Sequence, residues 1–187
     1  NKGKFTAHDY DWVKKDNFWE NLKETASGMK HVYLVGGEPL IIEEHYDFLK
    51  YCVEKDYAKD MTIEYNTNLT NIQPRALELW LNFKQVQFGI SMDGIGPTLE
   101  YIRNPLKTKL MEKNLAKLDE VGLEKLNFRA WIAFTIGAMN AFHFTDFLKW
   151  KIEQDFAIIS PMLKNNPKPF INVHPIHRPF ELSTRFL

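Results

Sequence analysis

The sequence predicts an α/β fold in which parallel strands are joined by crossover helices. Short apolar runs rich in Val, Ile, Tyr and Phe alternate with segments whose apolar residues recur at helical spacing. The order along the chain is α-β-α-β-α-β-α-β-α-β, and parallel strands separated by helices are its most economical explanation. With 187 residues and no Gly/Ser-rich linker, the chain is expected to form a single domain over 1–187.

The helices are predicted from apolar stripes and from residues that start or stop a helix. Helices are predicted over 17–26, 43–55, from Pro74 to about 83, after Pro105 to about 121, and over 140–154. Proline suits a first helical position, Gly122 is expected to end the fourth helix, and Asn140 is expected to cap the fifth. Strands are predicted over 31–35, 61–65, 86–91, 126–135 and 170–174.

Composition and charge exclude several classes of function. Lys plus Arg and Asp plus Glu each number 24, so the net charge is zero and nothing favours nucleic acid as a partner. The sequence contains no run of about 18 apolar residues, so no membrane span is predicted. No basic, then apolar, leader opens the chain, and a cytoplasmic protein is therefore expected. The 14 Phe, 5 Trp and 7 Tyr can fill a thick α/β core.

Polar segments rich in glycine follow the predicted strands. In parallel α/β folds the carboxyl ends of the strands meet at one edge, where functional sites collect. The segments that follow the strands can therefore line one polar cleft, and they cover 36–39, 66–68, 91–94, 135–140 and 174–177.

The tetrapeptide Gly-Gly-Glu-Pro over 36–39 is the sharpest of these segments. Two glycines let the backbone turn tightly and approach a ligand closely, and their carbonyls can accept hydrogen bonds from a ligand ammonium group. Glu38 adds a negative charge. The alternative is a simple strand-to-helix turn, in which Pro39 starts the helix and Glu38 is favourable near its N-terminus.

Four motifs together resemble the radical S-adenosylmethionine (SAM) enzymes. VGGEPL at 35–40 resembles the GGEP element that follows the second strand in that family, and YNTNLT at 65–70 resembles the end of the third strand. ISMDG at 90–94 is similar to the fourth-strand element, and YIR at 101–103 to the arginine that follows it. The sequences of these motifs are most similar to those of family members that carry a small C-terminal twitch-type cluster domain.

The resemblance implies a partial (β/α)6 barrel without its first strand, and it implies roles for particular residues. Gly36, Gly37 and Glu38, with Pro39, would hold the methionine amino group of SAM. Ser91 and Arg103 would contact the SAM carboxylate or ribose, because the planar fork of Arg suits a carboxylate. The remaining implied cofactor-binding residues are Asn66, Thr67, Asn68 and Asp93. Arg103 in an ion pair with a nearby acid, and Asp93 or the asparagines as turn residues, remain alternatives.

The sequence departs from this family in one respect. Its members hold a 4Fe–4S cluster with three cysteines in a CxxxCxxC motif after the first strand, and thiolates are the ligands such a cluster needs. The single cysteine here, Cys52, lies on an apolar helix stripe and is expected to pack in the core. His174 and His177 form an unconvincing metal pair, since no third ligand lies near them in sequence. The sequence thus predicts neither a metal ligand nor a catalytic residue.

We expect the cluster cysteines and the first strand to precede residue 1, and any auxiliary-cluster domain to follow residue 187. The full-length enzyme would cleave SAM to a 5′-deoxyadenosyl radical that abstracts hydrogen from a small-molecule or peptide substrate. It would take electrons from a protein such as flavodoxin or ferredoxin. One alternative is a degenerate, non-catalytic barrel that binds SAM, a nucleotide or a protein. Another is an unrelated barrel enzyme that uses Glu38, Asp93 and Arg103 on an anionic metabolite.

Overall fold

The computed structural model of the chain describes residues 16–125, 127–160 and 171–187. Its helices are α1 (Asp16–Thr25), α2 (Glu43–Glu54), α3 (Pro74–Trp80), α4 (Gly96–Ile102), α5 (Thr108–Lys125) and α6 (Phe144–Gln154). Its strands are β1 (His31–Leu34), β2 (Thr62–Thr67), β3 (Gln85–Ser91), β4 (Phe128–Ile136) and β5 (Asn172–Pro175). Residues 126 and 170, which belong to predicted strands, lie outside the described ranges.

The five strands form one parallel sheet in the order β1-β2-β3-β4-β5. Each strand is therefore a neighbour of the strand that follows it in sequence, with a crossover segment between them. A parallel sheet in which each new strand is added at the same edge is typical of a barrel wall. In a doubly wound sheet, the strand order reverses at a switch point. The predicted partial barrel with parallel strands is confirmed.

One face of the sheet is packed against helices. Alternate residues of β2, β3 and β4 are fully buried there, as the period of two in a strand requires. Aromatic rings occupy the centre of this layer: Phe88 stacks on Tyr65 with centroids 5.6 Å apart, and Trp80 meets Phe88 edge-on at 5.0 Å. None of the described helices combines the length and the apolar character that crossing a membrane requires.

The opposite face of the sheet carries polar side chains that are only partly buried. The strand register places Asn66 of β2, Gly89 of β3 and Trp131 of β4 side by side on this face. A Cβ atom at Gly89 would lie 2.5 Å from the Asn66 Oδ1 atom and 3.3 Å from the Trp131 ring. Glycine is therefore the residue that lets these two side chains meet above β3.

Two local predictions are wrong. Gly122 does not end α5 but lies inside it, where the missing side chain leaves room for the Ile158 side chain. Asn140 does not cap α6, which begins only at Phe144, because the Asn140 amide is engaged in hydrogen bonds with the strand ends. The short helix α4 was not predicted.

Candidate cofactor site at the carboxyl ends of the strands

The backbone of the glycine pair is open at the end of β1. Gly36 has a φ of +104°, a conformation that residues with a Cβ atom rarely adopt. Both glycines are exposed, and an added Cβ would meet no atom within 4 Å at either position. Within the described residues, neither glycine makes a hydrogen bond through its N–H or carbonyl group. The four backbone polar groups of this pair are free to bind a ligand.

Glu38 joins the end of β1 to the end of β2. Its Oε1 atom accepts hydrogen bonds from the Leu40 N–H at 3.1 Å and the Thr67 hydroxyl at 2.6 Å. Its Oε2 atom accepts from the Asn68 N–H at 2.7 Å. The carboxylate thus fixes the geometry of the glycine turn and leaves a negative charge beside its open backbone. Pro39 is buried and begins a single turn of 3-10 helix, Pro39–Ile41, instead of α2.

The three residues at the end of β2 point to different places. Asn66 lies on the polar face of the sheet, where its Nδ2 atom donates to the Tyr33 hydroxyl at 2.7 Å. Thr67 lies on the opposite face, is 2% exposed, and is bonded to Glu38. Asn68 closes its own turn, since its Oδ1 atom accepts from the Thr70 N–H and hydroxyl. The structure therefore separates a trio that the sequence grouped as one element.

The end of β3 carries Ser91 and an ion pair. Within the part of the chain that is described, the Ser91 hydroxyl makes no hydrogen bond. Asp93 is 5% exposed, and its Oδ2 atom accepts from the Arg103 Nε atom at 2.7 Å, with a second guanidinium nitrogen also 2.7 Å away. Its Oδ1 atom accepts from the Thr135 N–H at 2.7 Å. The ion pair considered from the sequence is present, and its acid is buried.

Asn140 ties the ends of β3 and β4 together, a role that the sequence did not reveal. Its Oδ1 atom accepts from the Gly137 N–H at 2.8 Å. Its Nδ2 atom donates to the carbonyls of Asp93 and Thr135, both at 2.9 Å. The only sequence signal was the position of Asn140 in a polar segment after a strand, because the bond that links it to β3 goes to Asp93, 47 residues away in the chain.

Two cavities flank the ion pair. The first, of about 560 Å³, is lined by Asn68 and Thr70 from the end of β2 and by Arg103 and Lys107 from the loop after α4. The second, of about 370 Å³, lies between the ends of β3 and β4, with Asp93, Thr135 and Asn140 in its wall. Both cavities lie at the carboxyl edge of the sheet. The glycine turn lies at the same edge, at the end of β1, and we call this edge with its two cavities the groove.

The described residues do not fit an iron–sulfur cluster. No group of three or more His, Cys, Asp or Glu side chains in the described ranges is placed to hold a metal ion. Cys52 is fully buried in the core on α2, as predicted, and burial raises the pKa of its thiol to about 11. A thiol held in this way does not supply the thiolate that a cluster requires.

The chain matches the family model of the radical SAM superfamily over residues 5–138, more than half of its length. This match contradicts the alternative of an unrelated barrel enzyme. No curated protein matches the sequence.

Solved structures of similar fold include three proteins that cover most of this chain. The protein anSMEcpe with bound AdoMet is 22% identical over 78% of this chain and 41% of its own, with a TM-score of 0.56. SuiB of Streptococcus suis, bound to the precursor peptide SuiA, is 18% identical over 75% and 30%, with a TM-score of 0.54. The methyltransferase TsrM of Kitasatospora setae, with tryptophan and a SAM analogue bound, is 12% identical over 75% and 28%, with a TM-score of 0.55. The present chain therefore spans less than half the length of each.

Proposed function

The chain belongs to the radical SAM superfamily, and from this membership we propose that it binds S-adenosylmethionine in the groove across the ends of β1 to β4. The observation that carries the proposal is the open backbone of Gly36 and Gly37, whose carbonyls have no partner among the described residues. A ligand ammonium group can donate to such carbonyls, and the nearby Glu38 carboxylate favours its positive charge. The methionine amino group of SAM supplies that ammonium.

The other charged end of methionine suits the far side of the same groove. Arg103 lines the 560 Å³ cavity together with Asn68, whose backbone is bonded to Glu38. Only part of the guanidinium fork is engaged by Asp93, so further N–H groups remain for a ligand carboxylate. Ser91, at the end of β3, offers a hydroxyl that has no partner among the described residues, for the ribose or the carboxylate. The 370 Å³ cavity, largely apolar in its lining, suits the flat adenine ring.

Bound SAM would supply, when reduced by a 4Fe–4S cluster, the 5′-deoxyadenosyl radical that removes hydrogen from a substrate. The ligands of that cluster are not among the residues of this sequence, whose one cysteine is in the core. The part of this chain is to hold SAM by its methionine and adenosine ends. The whole enzyme is proposed to act on a peptide or small molecule and to receive electrons from flavodoxin or ferredoxin.

Titration calorimetry of the chain with SAM tests the proposed site. We expect binding by the unchanged chain and a loss of about tenfold in affinity for Arg103→Ala, because a charge-assisted hydrogen bond is removed. Arg129→Ala is the control: Arg129 is an arginine of the same barrel, more exposed than Arg103, and it lies at the amino end of β4, away from the groove. No heat of binding in the unchanged chain, or equal losses in both variants, would contradict the proposal.

A further inference from the structure

Asp93 has a place in the groove that differs from that of the other candidate residues. We infer that it is a positioning residue, which sets the direction of the Arg103 guanidinium toward a ligand carboxylate and does not itself bind SAM. The inference rests on the proposed function, since it assigns how one residue of that site acts. It differs from the expectation drawn from the sequence, in which Asp93 contacts the cofactor directly.

The Asp93 carboxylate has little remaining capacity to accept hydrogen bonds. Three N–H donors surround it: the Nε atom and a second nitrogen of Arg103 at Oδ2, and the Thr135 backbone at Oδ1, all at 2.7 Å. Its side chain is only 7% exposed. A carboxylate that already receives three charged or backbone donors and is largely buried has little left to offer a ribose hydroxyl.

Arg103 is the side chain whose orientation Asp93 restrains. Arg103 follows α4 directly and is 26% exposed, so its guanidinium is reachable from the 560 Å³ cavity. An unrestrained arginine carries about 2 kcal/mol of rotamer entropy, which binding would have to remove. Because Asp93 engages the Nε side of the fork, the remaining N–H groups are fixed in direction before a ligand arrives.

The contact between Asp93 and Arg103 also has an opposite effect on the affinity for an anion. The Asp93 charge partly neutralises Arg103 and in that way weakens its attraction for an anion. Positioning predicts that loss of the Asp93 charge lowers affinity for a carboxylate, whereas neutralisation predicts that it raises affinity. We favour positioning because the Thr135 bond and burial fix Asp93 in place, so that it can orient the longer and less buried Arg103 side chain.

Asn140 supplies a matched control, because it ties the same strand ends without touching Arg103. Its amide bonds the Asp93 carbonyl, the Thr135 carbonyl and the Gly137 N–H, and none of these bonds involves the Asp93 carboxylate. Removal of the Asn140 side chain should loosen the groove as a whole. Removal of the Asp93 charge should act on the carboxylate end of the ligand alone.

The experiment compares two ligands, SAM and its analogue without the carboxylate (decarboxylated SAM), by calorimetry on the chain. For Asp93→Asn we expect affinity for SAM to fall about tenfold and affinity for decarboxylated SAM to stay unchanged. In an Arg103→Ala background, Asp93→Asn should have no further effect on SAM. For Asn140→Ala we expect no discrimination between the two ligands, whatever the change in melting temperature.

The outcomes separate this inference from the proposed function. Equal losses for both ligands in Asp93→Asn, or a gain in SAM affinity, overturn the positioning role and leave the SAM site intact. Absence of binding of either ligand to the unchanged chain overturns both. If Asp93→Asn does not fold, Asp93→Glu retains the charge but displaces it by one methylene, and a loss confined to SAM is again expected. Unchanged SAM affinity in Asp93→Glu refutes the role.

Discussion

Lowering the pH from about 7.5 to about 5.5 should destabilise the chain through the buried imidazole of His45. The ring is 2% exposed beneath α2 and lies in a chain of hydrogen bonds. Its Nδ1 atom is 2.7 Å from the Ile42 carbonyl, so Nδ1 carries the proton and donates it there. The Tyr65 hydroxyl, 3.2 Å from Nε2, then donates to that atom and accepts from the Trp80 indole at 3.0 Å. The network is complete only while the imidazole is neutral.

The size of the effect follows from the pKa of His45. Burial lowers this pKa from 6.5 to about 4, and the bond to the Ile42 carbonyl opposes that effect only in part. Below pH 6.5 His45 is protonated in the unfolded chain but stays neutral in the folded chain. The contribution of the neutral His45 ring to the free energy of unfolding is therefore fully present above pH 6.5 and is lost as the pH falls toward 4. At 1.36 kcal/mol per pKa unit the whole loss is about 3 kcal/mol, of which about 1 kcal/mol appears by pH 5.5.

Urea unfolding at the two pH values measures the loss. His45→Gln removes the titrating group, so this variant should begin less stable but lose about 1 kcal/mol less between the two pH values than the unchanged chain. His174→Gln is the control for the substitution itself, because His174 is exposed on β5 and takes no part in the hydrogen bonds of His45. If the unchanged chain and His45→Gln lose the same free energy of unfolding, the argument from the buried network is wrong.

Two further predictions concern the core. Gly122→Ala should lower the free energy of unfolding by about 1–3 kcal/mol in urea titration, despite the better helix propensity of Ala, because the added methyl overlaps Ile158. Gly28→Ala, which meets no atom within 4 Å, should be nearly neutral, and equal losses in the two variants would contradict this prediction. Cys52 should resist iodoacetamide in the folded chain and react once urea unfolds it, as followed by mass spectrometry. Rapid alkylation under native conditions would show that the thiol is not held in the core.

The sequence predicted those features that depend on local pattern. Alternation within 61–65 and 86–91 located β2 and β3, and the order of helices and strands was enough to predict a parallel sheet. Motifs that follow strands were expected at one edge because parallel strands share their direction. The same regularity separated Asn66 from Thr67, since neighbouring residues of a strand face opposite sides of the sheet.

Features that depend on contacts between distant segments were not predictable. Gly122 was predicted to end α5 because glycine is common at the C-terminus of a helix. The space that it leaves is instead occupied by Ile158, 36 residues away in the chain. Asn140 was predicted to be a cap from local pattern as well, but its amide is held by bonds with Gly137 and Thr135 in its own loop and by a bond to the distant Asp93 carbonyl. An ion pair of Arg103 with a nearby acid was considered only as an alternative, and Asp93 was not identified as that acid, because the pairing depends on where α4 ends.

The three bonds of Glu38 affect how substitutions in the glycine turn are to be understood. Replacement of this residue by one without a side-chain acceptor leaves the Asn68 N–H and the Thr67 hydroxyl unpaired, so the shape of the turn changes together with its charge. A saturation library selected for folding alone would therefore already exclude most residues at position 38. Intolerance to substitution at position 38 therefore reports the hydrogen bonds that connect the ends of β1 and β2. It gives no information on whether a ligand contacts the carboxylate.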